Sequence, residues 1–213
     1  MHVMDGRSIE CTPTEEHAEG PYYRPDAPET TDLYPSGSTG KVLWFTGTIR
    51  DSTCRPVTDA LMEVWQADDS GRYDNDDPEQ PPPPDYYRCR ARMRCDEHGR
   101  FGFRTVWPSN YTVPGDGGFT RVKHIHFKVF AARYQPLTTE LTLLPDDYTQ
   151  EDPLYDPRLA IQPVPRESTA ANLQKPEYEV EYDFVLRPIS AHGYTTALRG
   201  FESRLTRMTR PGV

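Results

Sequence analysis

Residues 121–130 read RVKHIHFKVF: His124 and His126 stand two apart in a run of strand-forming residues, with Arg121 three before the first histidine. Side chains alternate along an extended strand, so the two imidazoles leave one face while Ile125, Phe127 and Val129 leave the other. Two neutral imidazoles on one face can share a metal ion. They do not complete a site, because a tightly held metal takes three or four donors, usually with negative charge from the protein. Taken alone, the pair reads equally well as two polar side chains on a wet face. The chemistry turns on which acids or phenols join it, and the chain offers 33 acidic residues and 13 tyrosines.

The elements that must bring such donors together are strands. The chain has 213 residues, only 35% of them hydrophobic, with 22 prolines, which predicts short strands joined by long ordered loops around one core. Residues 1–40 are rich in Pro, Glu, Asp, Thr and Gly, with EGPYYRP as their aromatic cluster, and read as an arm packed over a body spanning 41–213. In the body, KVLWFTGTIRD, ALMEVWQAD, the two halves of RCRARMRCDEHGRFGFRTVWP, HIHFKVF, LTTELTLL and YEVEYDFVL read as strands. The last alternates, with Tyr178, Val180, Tyr182, Phe184 and Leu186 on its buried face. With no alternation of strand and helix, the expected fold is all-β: an antiparallel β-sandwich with an irregular N-terminal arm. Leu198, Phe201, Leu205 and Met208 share one helical face, which predicts a short C-terminal helix whose stripe fits this body or a second subunit of a homo-oligomer.

Composition also excludes partners. A formal net charge of −9 disfavours nucleic acid and anionic membrane, both of which reward a basic stripe. No segment approaches the roughly 20 apolar residues of a membrane span, and the first twenty residues have no apolar signal core, so a cytoplasmic protein is expected. Cys11, Cys54, Cys89 and Cys95 show no CxxC spacing and read as free thiols.

Two donor sets compete for the histidines. GFTRVKHIH resembles the first motif of the cupins, but there a glutamate follows the second histidine closely, whereas here FKVFAARY holds no acid and Glu140 lies well along the next strand. The second set is tyrosine. LMEVWQADDSGRYDN, VWPSNYTVPGDGG, RVKHIHF and LTTELTL, in that order, together with GTIRDSTCRPVTD and TPTEEHAEGPYYRP, resemble the intradiol ring-cleavage dioxygenases over roughly residues 12–145.

That resemblance implies a non-haem Fe(III) held by Tyr73, Tyr111, His124 and His126, and cleavage of a catechol-type small molecule by O2 between its two hydroxyls to a cis,cis-muconate-type diacid. Two phenolates suit a hard trication, and a phenol with a pKa near ~10 needs the metal to lose its proton at neutral pH. By the same resemblance Tyr111 is the ligand that leaves and acts as base, and Arg121 stabilises negative charge on the ring. An odd spacing from His124 would place Arg121 on the wrong face of a regular strand, so a break before His124 is required. Pro21, Tyr22 and Tyr23 either wall the substrate pocket or anchor the arm. Trp65 and Trp107 read as core or as support behind the ligands. Glu140 stands where the family commonly has glutamine. If Arg121 bends onto the ligand face, Glu140 meets it and either blunts its charge or serves a cationic or hydrogen-bond-donating ring substituent. Another HxH metalloenzyme and a non-catalytic binding sandwich stay open beside the dioxygenase, and a burgundy tyrosinate-to-iron colour separates them.

Overall fold

The computed structural model describes residues 10–113, 118–167 and 175–189. The strands are β1 (Val42–Asp51), β2 (Leu61–Gln66), β3 (Arg90–Arg94), β4 (Arg100–Val106), β5 (Tyr111–Thr112), β6 (Thr120–Arg121), β7 (His124–Phe130), β8 (Leu137–Leu143), β9 (Ala160–Ile161), β10 (Val164–Pro165), β11 (Glu177–Glu181) and β12 (Phe184–Leu186). One sheet has the order β3-β2-β7-β8-β9; the other has β10-β11-β1-β12 with β4 also on β1. β11 and β12 run parallel to β1 and β9 parallel to β8, while the other pairings are antiparallel. The expected β-sandwich is thus present. The C-terminal helix expected from Leu198 to Met208 falls outside the described residues.

The core lies between the sheets. Phe45 stacks on Phe103 at 5.1 Å between ring centroids and meets Phe127 of the facing sheet at 5.3 Å, and Phe127 meets Phe184 at 4.8 Å. These rings are fully or almost fully buried, each stabilising the fold by roughly 1.5–3 kcal/mol. YEVEYDFVL is broken between β11 and β12, where Asp183 accepts from Thr48 N (2.7 Å) and Arg50 Nε (2.6 Å). The DEHG turn joins two strands as expected, but it carries the chain from β3 in one sheet to β4 in the other.

β2 and β7 are buried along their whole length, which an edge of the sandwich does not require. Their alternate residues Met62, Val64, Ile125, Phe127 and Val129 join the core. The opposite face, with Glu63, Trp65, His124, His126 and Lys128, is covered by the arm. His17 N donates to Thr138 O (2.9 Å), Thr139 Oγ1 to Glu15 O (2.8 Å), and Tyr23 OH to Glu63 Oε2 (2.8 Å). Lys128 pairs with Glu19. The arm is also tied covalently, because Cys11 forms a disulfide with Cys54 in the turn after β1. This corrects the reading of four free thiols, which holds for the buried Cys89 and Cys95.

Candidate metal centre

His124 and His126 project from β7 toward the arm, as the strand period requires. The Nδ1–H of His124 donates to Val122 O (2.6 Å), which fixes the tautomer and leaves Nε2 as the free nitrogen. Tyr73 OH lies 3.3 Å from that Nε2. Tyr111, on β5, packs its ring 5.6 Å from Tyr73 and 5.7 Å from His124. The ring of His126 sits 4.7 Å from His124, stacked flat on Trp65 at 4.8 Å. Two phenols and two imidazoles, separated by up to 53 positions along the chain (Tyr73 to His126), therefore meet at one place.

Two glycines permit this. Gly71 (φ +79°) lets the loop carrying Tyr73 cross Asn110, the neighbour of Tyr111, so closely that a Cβ would lie 2.3 Å from Asn110 O. Asp68 Oδ1 closes the same loop by accepting from Ser70 N (2.7 Å) and Arg72 N (3.1 Å). Gly20 (φ +72°) brings the arm across His126, where a Cβ would stand 3.4 Å from the ring. Beyond it, Tyr22 stacks on Tyr73 at 4.3 Å and meets Tyr111 edge-on at 6.0 Å. Tyr23 turns instead to Glu63 and Trp65, and Pro21 is exposed. Of these three arm residues, Tyr22 is the one against the candidate ligands.

Arg121 reaches the same region because the chain breaks between β6 and β7. It pairs with Tyr111 in the β5–β6 ladder. Its guanidinium is buried between two carboxylates: Nη2 contacts Glu140 Oε1, and Nε donates to Asp152 Oδ2 (3.0 Å), which also accepts from Val122 N (2.9 Å). Asp146 braces the neighbouring turn by accepting from Lys123 N (2.7 Å) and from Asn110 Nδ2 (2.8 Å). Glu140 lies directly across from His126 in the β7–β8 register. Its Oε2 faces Nδ1 of His126 at 3.7 Å and Nδ1 of the arm residue His17 at 3.4 Å.

Burial sets the protonation of the donors. It pushes Tyr73 far above the usual phenol range and Tyr111 up to about 12, and it lowers both His124 and His126. Neutral imidazoles and phenols that ionise only under a strong positive field fit a hard trivalent metal. Burial by itself would raise Glu140, but His124, His17, His126 and Arg121 outweigh it and keep the carboxylate ionised. The donor atoms of His124, His126 and Glu140 lie within 4.8 Å of one another, so Glu140 is nearer than its place along the chain led the sequence reading to allow. Its Oε1 is held by Arg121, whereas Oε2 is buried without a hydrogen-bond partner. A surface cleft of about 600 Å³ beside Tyr34, Tyr86 and Arg88 contains none of these residues.

The profile of a protein family described as Dioxygenase matches residues 18–188, most of the chain. The chain belongs to the intradiol dioxygenase family. It is 30% identical to catechol 1,2-dioxygenase of Pseudomonas sp. (strain EST1001) over 168 residues, covering 71% of this chain and 54% of that protein. It is 34% identical to hydroxyquinol 1,2-dioxygenase of Rhodococcus opacus over 147 residues, covering 62% and 47%. The chain thus spans about half the length of these intradiol relatives. Among solved structures, 3-chlorocatechol 1,2-dioxygenase from Rhodococcus opacus 1CP superposes with a TM-score of 0.73 at 28% identity, over 83% of this chain and 73% of that one. The dioxygenase domain of a dioxygenase and carbohydrate-binding protein fusion from Streptomyces sp. SirexAA-E gives 0.65 at 31%, over 84% and 100%.

Within this intradiol fold, Tyr73, Tyr111, His124, His126, Arg121, Glu140 and Tyr22 come together, Tyr23 packs on the same buried cluster from the Trp65 side, and Pro21 is exposed. Trp65 backs His126, and Trp107 packs on Tyr178 at 4.8 Å. The sequence reading missed Asp152, Asp146 and His17. A buried aspartate in a loop carries no periodic signal, and only DDYTQED, a dense acidic run after the last strand of the resemblance, marked that loop.

Proposed function

We propose that the chain is an Fe(III)-dependent dioxygenase that opens a catechol-type ring between its hydroxyls, with both atoms of O2 entering a cis,cis-muconate-type diacid. The convergence of Tyr73, Tyr111, His124 and His126 carries this reading. These four side chains would hold the iron, which when bound would supply a hard Lewis acid that keeps the catechol oxygens anionic and the ring electron-rich.

The protein's own part follows from its side chains. Tyr111 is partly exposed and sits on a two-residue strand, so it is the donor free to swing away. Its phenolate, with a conjugate acid near 12, takes a proton from a catechol hydroxyl at Oη. Tyr22 lies over Tyr73 and walls the entrance against water. Arg121, held from two sides, presents a fixed charge that costs no reorganisation when negative charge grows on the ring. With Oε1 held by Arg121, Glu140 acts on the reaction through that guanidinium, while its Oε2 stays buried without a hydrogen bond near His17 and His126.

No helix among the described residues is long and apolar enough to cross a membrane. The Cys11–Cys54 bridge supports work in an oxidising compartment over the cytoplasm first expected, since reducing compartments keep such pairs open.

The deciding experiment loads the protein with ferric iron, records the visible spectrum, and follows catechol and oxygen consumption. A tyrosinate charge-transfer band with equimolar uptake and diacid formation is expected. A colourless iron-loaded protein overturns the reading.

A further inference from the structure

Behind Tyr73 lies a buried ion cluster that the reaction outlined above does not use. Asp74, the next residue, is fully buried and accepts from Arg24 Nη1 (2.8 Å), Arg90 Nε (2.7 Å) and Arg88 N (3.2 Å). Arg90, at the start of β3, has a side chain only 1% exposed and also donates from Nη2 to Asn75 Oδ1 (2.7 Å). Its remaining nitrogen, Nη1, is buried without a hydrogen-bond partner. The guanidinium carbon lies 5.9 Å from the centroid of the Tyr73 ring. Arg24, from the arm, further holds Tyr86 O (2.9 Å) and stacks on Tyr87 at 4.5 Å.

The charges do not cancel. One carboxylate serves two guanidiniums, and among the described residues Asp74 is the acid in ion-pair contact with Arg90. A buried guanidinium that is half compensated and has an orphaned nitrogen is costly unless an anion sits nearby. The group beside it is Tyr73, neutral as a phenol and anionic as a metal-bound phenolate. At a separation of about 6 Å a charge acts on an aromatic ring through its electrostatic field, and low surrounding dielectric strengthens that action.

We propose that Arg90, oriented by Asp74 and balanced against Arg24, is a positioning residue that serves as the built-in counter-charge of the Tyr73 phenolate and sets how strongly that phenolate donates to the metal. The inference rests on the iron reading above. Positive charge behind the ring holds the phenolate's electrons more tightly, so more energy is needed to move one to ferric iron. Removing it loosens them.

The test is the position of the tyrosinate charge-transfer band in the iron-loaded protein, with iron affinity measured alongside. Arg90→Gln is expected to move the band to longer wavelength and to weaken iron binding by roughly 10–100-fold, the usual cost of losing a partner behind a ligand. Asp74→Asn unmasks the positive charge and is expected to move the band the other way. Arg90→Lys keeps the charge and should stay near wild type. Arg24→Gln, at a partly exposed side chain, leaves Asp74 wholly to Arg90 and should reproduce the Arg90→Gln direction at smaller size; it decides the matter if Arg90→Gln does not fold. Bands that stay put in Arg90→Gln, Asp74→Asn and Arg24→Gln, or that move the same way in Arg90→Gln and Asp74→Asn, overturn the proposal, since loosened packing has no reason to change sign. A wild-type protein that binds iron without any such band overturns the iron reading, and this inference with it.

Discussion

Two buried ion clusters flank the histidines, and their imbalances are of opposite sign. Beside Tyr73, Arg24 and Arg90 share Asp74, leaving a surplus of positive charge. Around Arg121, Glu140 and Asp152 share one guanidinium, leaving a surplus of negative charge, relieved only when His17 is protonated. The first surplus faces the residue proposed to become an anion on binding iron. The second surrounds the cation expected to face the ring, so it restrains that cation's pull while fixing its place. A ligand and a charge stabiliser are thus built by the same means to opposite ends: the ligand is supplied with field, and the stabiliser is held and partly shielded.

Removing the anion that the positive cluster faces gives the largest effect. Tyr73→Phe should lower iron affinity by more than the roughly 10–100-fold typical of losing an outer partner, and should strip most of the visible colour. Metal analysis of the purified variant checks this; full iron content would remove Tyr73 from the ligand set. Arg121→Met comes next. It leaves two buried carboxylates unpaired, for which about 3–5 kcal/mol of lost stability is expected in denaturant titration, besides a fall in turnover of roughly a hundredfold. Turnover and stability both at wild-type level would show that the negative cluster does not depend on its one cation.

Those effects rest on residues of unequal legibility. The histidine pair and its face were plain from a period of two, and the tyrosines from the order and spacing of motifs. Arg121's bend was deducible because its spacing violated that period. Its contact with Glu140 followed from strand adjacency, and the same adjacency sets Glu140 opposite His126, outside the spacing of a cupin motif. Asp74, Asp146 and Asp152 were invisible: each acts by accepting from backbone or guanidinium groups far along the chain, and partner choice of that kind is settled by packing, not by local pattern. The bridge between Cys11 and Cys54, 43 positions apart, had no spacing to announce it. YEVEYDFVL kept its buried face but lost its continuity, because Asp183 turned inward to β1.

Glu140→Gln sharpens the comparison by halving the negative side. Arg121 would keep Asp152 alone, and its freer charge should speed cleavage of simple catechols by on the order of tenfold, the scale of one charge-assisted hydrogen bond. Steady-state rates on catechol and protocatechuate measure it, and unchanged rates would mean Asp152 alone sets the charge of Arg121.

The smallest effect concerns His17. The Glu140 carboxylate, 3.4 Å from its Nδ1, raises its pKa against the opposing pull of burial. A raised folded-state pKa adds stability that is fully present below the unfolded value of about 6.5 and is lost as pH rises through the folded value. Wild type should therefore lose a little thermal stability between slightly acid and slightly alkaline pH that His17→Gln does not lose. Parallel melting curves across that window would show that the arm histidine stays neutral.

The disulfide gives the arm a property that its hydrogen bonds do not. His17, Gly20 and Tyr22 lie 6 to 11 positions after Cys11, so the bridge holds the arm's near end beside the candidate metal centre. The chain into β1 already fixes the far end of the arm, and the bridge fixes its near end, so a displaced arm is a closed loop with fewer conformations to search before it settles back. Reduction of that one bond would release only the Cys11 end, leaving a segment anchored at β1 that must find the sheet again from a wider ensemble.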